Sequence, residues 1–245
     1  MRHSVIVLIA VSCLSVFAAA QTAEELVSNN IRAKGGLEKI KAITSVRMTG
    51  KLEGDDFKAV QSQESKRPNL VRKSMSLQGM TAVKAYDGSN GWQIQPFGGH
   101  KDPELIGEDD LRKLLLDADF DGPLVDYKEK GNAVEYLGHD ELDGDDALRL
   151  KVTLKNGDIV YYFLDPETNL EIRKEVQQFI RGSIRETVVE LGSYKAVGGV
   201  MFPFSISQRA KNSPGGETTT LEKIEVNVAI PDSDFALPAP LKGTK

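Results

Sequence analysis

Apolar residues recur every three or four positions between Thr22 and Ile43: Leu26, Val27, Ile31, Leu37, Ile40 and Ile43. That spacing lays them along one face of a helix. Thr22 followed by Glu25 offers a capping box at its start, and Gly35-Gly36 predicts a break or bend. After Ser45 the period drops to two. Val46-Arg47-Met48-Thr49 alternates, and Leu148 to Lys155 alternates throughout, which predicts strands with one apolar and one wet face.

Turn signals at Gly54-Asp55, Asp87-Gly88, Asn156-Gly157, Asp165-Pro166 and Pro214-Gly215-Gly216 punctuate further strands. These are expected at about 57–65, 69–77, 80–86, 91–96, 132–138, 158–164, 169–180, 184–194, 201–209 and 217–229. Short turns without intervening helices imply an antiparallel meander. Ile159 to Leu164 is apolar on both faces and reads as a central strand. One helical interruption carries Leu105, Leu111, Leu114, Leu115 and Phe120, with Glu108, Asp109 and Asp110 suited to the first turn. The tail from Pro231 through Pro238-Ala239-Pro240 has little regular pattern.

The first 20 residues change the setting. Arg2, an apolar run from Val5 to Val11, and Ala18-Ala19-Ala20 form the charge, core and cleavage site of a secretory signal peptide. The apolar stretch falls short of the ~20 residues of a membrane span. Cleavage near Ala20 leaves residues 21–245 as one periplasmic, monomeric domain, expected to be soluble. Cys13, the only cysteine, lies in the discarded segment, so disulfide and thiol chemistry are not expected. The formal net charge of −5 argues against nucleic acid as a partner.

No catalytic constellation emerges. His100 and His139 are the histidines of the exported part, and neither neighbours a nucleophile elbow. The run Asp140-Glu141-Leu142-Asp143-Gly144-Asp145-Asp146 fails the spacing of a calcium loop and reads as a turn. Asp119 and Asp121 are not singled out from the other acids. The chain is expected to be no enzyme and to use neither metal nor cofactor.

Two stretches are more specific: Lys66-Arg67-Pro68-Asn69-Leu70, and Tyr86-Asp87-Gly88-Ser89-Asn90-Gly91-Trp92-Gln93-Ile94-Gln95-Pro96-Phe97. In this order, behind an export signal, they resemble the bacterial outer-membrane lipoprotein-sorting family, LolA and its LolB-like relatives. Tyr162 to Leu170 and Val228 to Pro238 look like the family's later hairpin and C-terminal segment. The resemblance departs at Val71, where the family's carrier has Phe, and in a longer 100–130 segment.

The resemblance implies a mainly β fold with α: an unclosed antiparallel barrel, a curved sheet whose concave apolar face is covered by helices. It implies a carrier that binds acyl chains of lipoproteins or lipids and moves them toward the outer membrane. Partners would be an inner-membrane release complex and an outer-membrane acceptor. Arg67 matches the family's arginine that bonds to the lid helices and couples lid closure to release. Strand alternation places Val71, Lys73, Met75 and Leu77 on one face, with Lys73 an unexpected charge there. The expected ligand-binding set is Arg67, Val71, Met75, Leu77, Trp92, Phe97, Leu111, Leu114 and Leu115. A sensor module of the same fold, or a hydrolase using His100 or His139, are the alternative expectations.

Overall fold

The computed structural model describes residues 22–239; the expected signal peptide with Cys13, and residues 240–245, lie outside the described residues. The N-terminal helical pattern becomes two helices, α1 (Ala23–Ala33) and α2 (Leu37–Ala42). The Glu25 N–H donates to Thr22 Oγ1 at 3.1 Å and satisfies one orphan donor of the first turn. Between the helices, Gly35 sits at φ 119°, and a Cβ there would lie 2.3 Å from the Gly199 carbonyl oxygen. Glycine therefore lets this corner rest directly on the backbone of a neighbouring turn.

A first meander follows: β1 (Ser45–Gly54), β2 (Lys58–Lys66), β3 (Leu70–Leu77), β4 (Met80–Tyr86), β5 (Gly91–Gln95) and β6 (His100–Leu105). Helix α3 (Glu108–Ala118) interrupts it. A second meander runs through β7 (Ala133–Leu142), β8 (Asp145–Thr153), β9 (Ile159–Leu164), β10 (Glu171–Ile180) and β11 (Ser183–Gly192). A small separate hairpin, β12 (Lys195–Val197) and β13 (Val200–Phe202), precedes β14 (Ser205–Ala210) and β15 (Glu217–Val226).

The last strand, β15, joins the two meanders by pairing with both β1 and β14. The result is one 13-stranded antiparallel sheet in the order β6-β5-β4-β3-β2-β1-β15-β14-β11-β10-β9-β8-β7. The sheet curves but does not close, so β6 and β7 are its margins. The fold expected from the sequence is the fold observed.

Register decides which side chains meet the helices. Val46 lies opposite Ser65 and Val226, and Val71 opposite Ser65 and Tyr86, placing them on the concave face. Three buried clusters cover that face. Leu26 and Val27 of α1, with Leu124, pack on Leu150, Val152, Val160 and Tyr162. Ile40 and Ile43, with Val125, pack on Val46, Leu221 and Ile224. Leu114 and Ala118 of α3 pack with Ile106 on Val71 and Tyr86. Full burial of each such large side chain contributes about 1.5–3 kcal/mol, which is what holds short helices to the sheet.

Several elements differ from expectation: Leu105, expected on the helix, ends β6, Phe120 follows α3, and β12 is an added short strand. Strand β6 has no periodic signal because His100, Lys101, Asp102, Pro103 and Glu104 are polar or strand-breaking; an edge strand needs no buried face and tolerates Pro. The strand expected at 201–209 is split between β13 and β14. Pro203 interrupts it, and the Phe204 N–H donates instead to the Gly192 carbonyl.

Candidate functional site

The concave face is closed by a strap. Helix α3 contacts β3 and β4 on one side and β10 on the other, so it crosses the space between the two meanders. Its apolar stripe, Leu111, Leu114 and Ala118, sits on the β3–β4 side. Contact is so close that a Cβ on Gly91 would lie 2.6 Å from Leu111 Cδ1. Leu116 reaches the first cluster, and Phe120, just after the helix, the second. The 108–125 segment therefore touches all three concave clusters.

Polar contacts hold both sides of the strap. The Arg181 backbone N–H donates to Asp109 Oδ2 at 3.2 Å, and its guanidinium to Asp110 Oδ2 at 3.0 Å. Arg112 donates to the Phe179 and Asn156 carbonyls, each at 2.9 Å, and pairs with the buried Asp158 at 3.5 Å. Gln178 Nε2 completes that group by donating to Asp158 Oδ2 at 3.0 Å. Across the space, Lys73 Nζ of β3 donates to Asp117 Oδ2 at 2.7 Å.

Arg67 stands at the rim between β2 and β3 and ties the helices together. Its guanidinium meets Asp121 as a fork, Nη1 to Oδ2 at 2.9 Å and Nη2 to Oδ1 at 2.6 Å. Nε and Nη2 also donate to the Ile43 and Ile40 carbonyls at 2.7 and 3.0 Å, tying the guanidinium to the end of α2. The group lies over the Phe120 ring, 4.6 Å from its centroid. Lys41 of α2 adds a third bond to Asp121 at 2.7 Å and pairs with Asp126. Burial pushes the Asp121 carboxyl up, but the bonds and charges of Arg67 and Lys41 outweigh it and hold the carboxyl below its ordinary value.

Farther along β3 the concave lining changes character. Met75 and Leu77 are half-buried, and Met75 lies opposite Gln61, whose Oε1 accepts from Thr219 Oγ1 at 3.2 Å. Lys73 lies between them and the α3 cluster. Burial pushes its ammonium down, and the charges of Asp117 and Glu217 outweigh that and hold it up. Its side chain is nonetheless 36% exposed, so water reaches into this part of the concave side. A pocket of about 460 Å³ opens at the β1–β2 turn, lined by Asp55, Phe57, Thr187, Gln208 and Glu217 among others. The lining thus passes from apolar under the strap to mixed at this end.

The expected ligand-binding residues divide accordingly. Arg67, Val71, Leu111 and Leu114 come together beneath and beside the strap, with Met75 and Leu77 on the same sheet face. Trp92 does not join them. It lies opposite Ala85, which lies opposite Arg72, and so faces the convex side. There it packs with Val83, Ala85 and Ile94 while Nε1 donates to the Phe235 carbonyl at 2.6 Å. A convex pocket of about 340 Å³ beside it is lined by Arg72, Glu64, Ser233, Asp234 and Ala236 to Pro238. Phe97 is 40% exposed in a short 3-10 turn, Pro96–Gly98, before the sheet margin, and Leu115 of α3 is 37% exposed. One-residue alternation puts Trp92 away from the lining, whereas Leu115, four positions after Leu111 and three before Ala118, shares their side of the helix.

Sequence reasoning missed Asp121, Lys41, Asp117, Asp158 and Gln178, the partners that fasten the helices. The available signal was an uncompensated charge at apolar-face positions: Lys73 needs an acid across from it. His100 lies on β6 beside Glu104 at 3.4 Å, and His139 on the opposite margin, β7, 2.9 Å from Asp146. No group of acidic, His or Cys side chains among the described residues is arranged to hold a metal ion. No helix among them is long and apolar enough to cross a membrane.

Neither a family model nor a curated protein matches the sequence. Solved structures do match the architecture. A DUF1329 family protein from Desulfovibrio piger superposes with a TM-score of 0.61 at 10% identity, covering 88% of this chain and 98% of that one. A domain assigned to outer-membrane lipoprotein sorting from Vibrio parahaemolyticus gives 0.58 at 10% identity, covering 87% and 95%. A LolA superfamily protein from Nitrosomonas europaea gives 0.57 at 13% identity, covering 89% and 98%.

Proposed function

Taking this LolA-type fold as the premise, we propose that the chain is an extracytoplasmic, non-enzymatic carrier of acyl chains, borne by lipids or by lipoproteins, and that it moves them toward the outer membrane. The observation that carries the reading is the strap. An apolar concave face is covered by helices that are fastened at their rims by reversible ion pairs, and its interior is reached by water at Lys73. Cargo is admitted when α3 and the following segment lift. The apolar positions they vacate are Val71, Tyr86, Val46 and Ile224, each already part of a buried cluster.

Acyl binding needs no polar recognition. Each buried methylene contributes ~0.8 kcal/mol, so a chain of ordinary length supplies enough to replace the contacts of Leu111, Leu114 and Phe120. The structure is the closed state in this reading, with the chain's own leucines where the cargo goes. The Vibrio protein's assignment to lipoprotein sorting supports lipoproteins among the cargo, and the signal-like N-terminus supports the compartment.

Native mass spectrometry of the protein isolated from its own extracytoplasmic fraction tests the reading. Co-purifying lipid or lipoprotein is expected. A consistently empty protein that also fails to take up fluorescent fatty-acid probes would sink it.

A further inference from the structure

The strands β10 and β11 end in a hairpin tip unlike the rest of the surface. Phe179 and Ile184 are cross-strand partners there, 57% and 67% exposed. Solitary exposed apolar residues are ordinary; Val60, for example, is as open but lies between Lys51 and Ser76. The tip instead presents two large apolar side chains side by side. From Gln177 to Arg185 its only charges are Arg181 and Arg185, both cationic and exposed, in a chain of net charge −5. Arg185 makes no ion pair among the described residues, and Arg181 is 70% exposed even while paired with Asp110.

We propose that this tip docks the protein on an anionic phospholipid surface and that docking loosens the strap. Phe179 and Ile184 enter the boundary between headgroups and acyl chains, and the two arginines meet lipid phosphates. Arg181 has a second duty in the closed protein: it holds Asp109 and Asp110 at the start of α3. A phosphodiester takes the same guanidinium donors as a carboxylate. Docking therefore removes the Asp110 partner, while Phe179, whose carbonyl accepts from Arg112, is drawn toward the bilayer. The closed state persists in water and is loosened where acyl chains are available. The benefit of this coupling rests on the carrier reading; the docking itself does not.

Co-sedimentation of the purified protein with phosphatidylcholine vesicles, with and without phosphatidylglycerol, tests docking. Binding is expected only to the vesicles containing phosphatidylglycerol. Arg181→Gln and Arg185→Gln should each weaken it about fivefold, and Phe179→Ser with Ile184→Ser should abolish it. Circular dichroism of these surface variants should match that of the parent. Hydrogen exchange across 108–118 should accelerate on phosphatidylglycerol vesicles and stay unchanged on phosphatidylcholine alone. Equal binding to both vesicles, no binding, or binding indifferent to the hairpin variants would overturn docking; binding with unchanged exchange would overturn the coupling. Fatty-acid probe uptake without vesicles is read separately, so a failed carrier reading and a failed docking surface give different results.

Discussion

Arg67 and Asp121, 54 positions apart, meet through two parallel charge-assisted hydrogen bonds of 2.9 and 2.6 Å. The carboxylate side is 5% exposed and the arginine 25%, so the pair is shielded from solvent but not sealed. It joins the β2–β3 rim to the segment that follows the strap, and through Ile40 and Ile43 to the end of α2.

Arg67→Leu should therefore release two helices at once. A loss of roughly 2–3 kcal/mol in urea unfolding is expected for charged hydrogen bonds of this kind, together with faster uptake and faster release of fatty-acid probes. Arg67→Lys keeps the charge without the fork and should recover only part of both. Combined with Asp121→Asn, Arg67→Leu should be strongly non-additive. Additive effects would show that the pair is not a unit.

The pH dependence follows from the lowered Asp121 pKa. A carboxylate held below its ordinary value of 3.8 gives stability that is complete above that value and disappears as pH falls through the folded-state value. The stability difference between the parent and Asp121→Asn should be flat from neutral pH down to about pH 4 and shrink below it. A difference that shrinks already between neutral pH and that point would assign the closure to another group.

Lys73 offers a test of the lining. Lys73→Met removes a charge from the concave face and leaves Asp117 40% exposed to water, so the stability cost should stay within about 1 kcal/mol. Fatty-acid probes should bind more tightly, as measured by fluorescence titration. Weaker binding would contradict an acyl chain passing along β3.

Gly91 is the close point between sheet and strap. Gly91→Ala puts a methyl against Leu111 Cδ1, and overpacking of this kind costs typically 1–3 kcal/mol. Hydrogen exchange in 108–118 should quicken. Because the obstacle is the end of a side chain, Leu111→Val in the same protein should restore part of the loss; no restoration would place the clash in the backbone.

Trp92 supplies the control from the other face. Trp92→Phe removes the indole donor to the Phe235 carbonyl and should loosen the C-terminal segment by about 1–3 kcal/mol. Limited proteolysis should cut that segment sooner, and probe uptake should stay as in the parent. Impaired uptake would return Trp92 to the lining.

Most of the sheet was legible because strands such as β1 and β8 alternate with period two and the turns between strands carry Gly, Asn, Asp or Pro; β6, with no such period, was not. Helices α1 and α3 were legible for the same reason, and the split at Gly35 for a steric one. What stayed hidden was long-range partnership. Asp121 looks like any other acid until the fold brings Arg67 to it, and Lys73 looks misplaced until α3 delivers Asp117. Trp92 illustrates a different limit. Its chemistry suits a ligand pocket, yet a single step of pleat sends it to the opposite side, where residues near the end of the chain cover it.

The unpaired margins β6 and β7 have a mechanical consequence. Between them no ladder hydrogen bond has to break for the gap to widen, so the sheet behaves as a sprung clip whose girth is set by what lies inside it. If the chain carries acyl cargo as proposed, a thicker cargo would splay the clip through small added twists shared over 13 strands, and tolerance of different cargo sizes would be a property of the scaffold rather than of any one side chain.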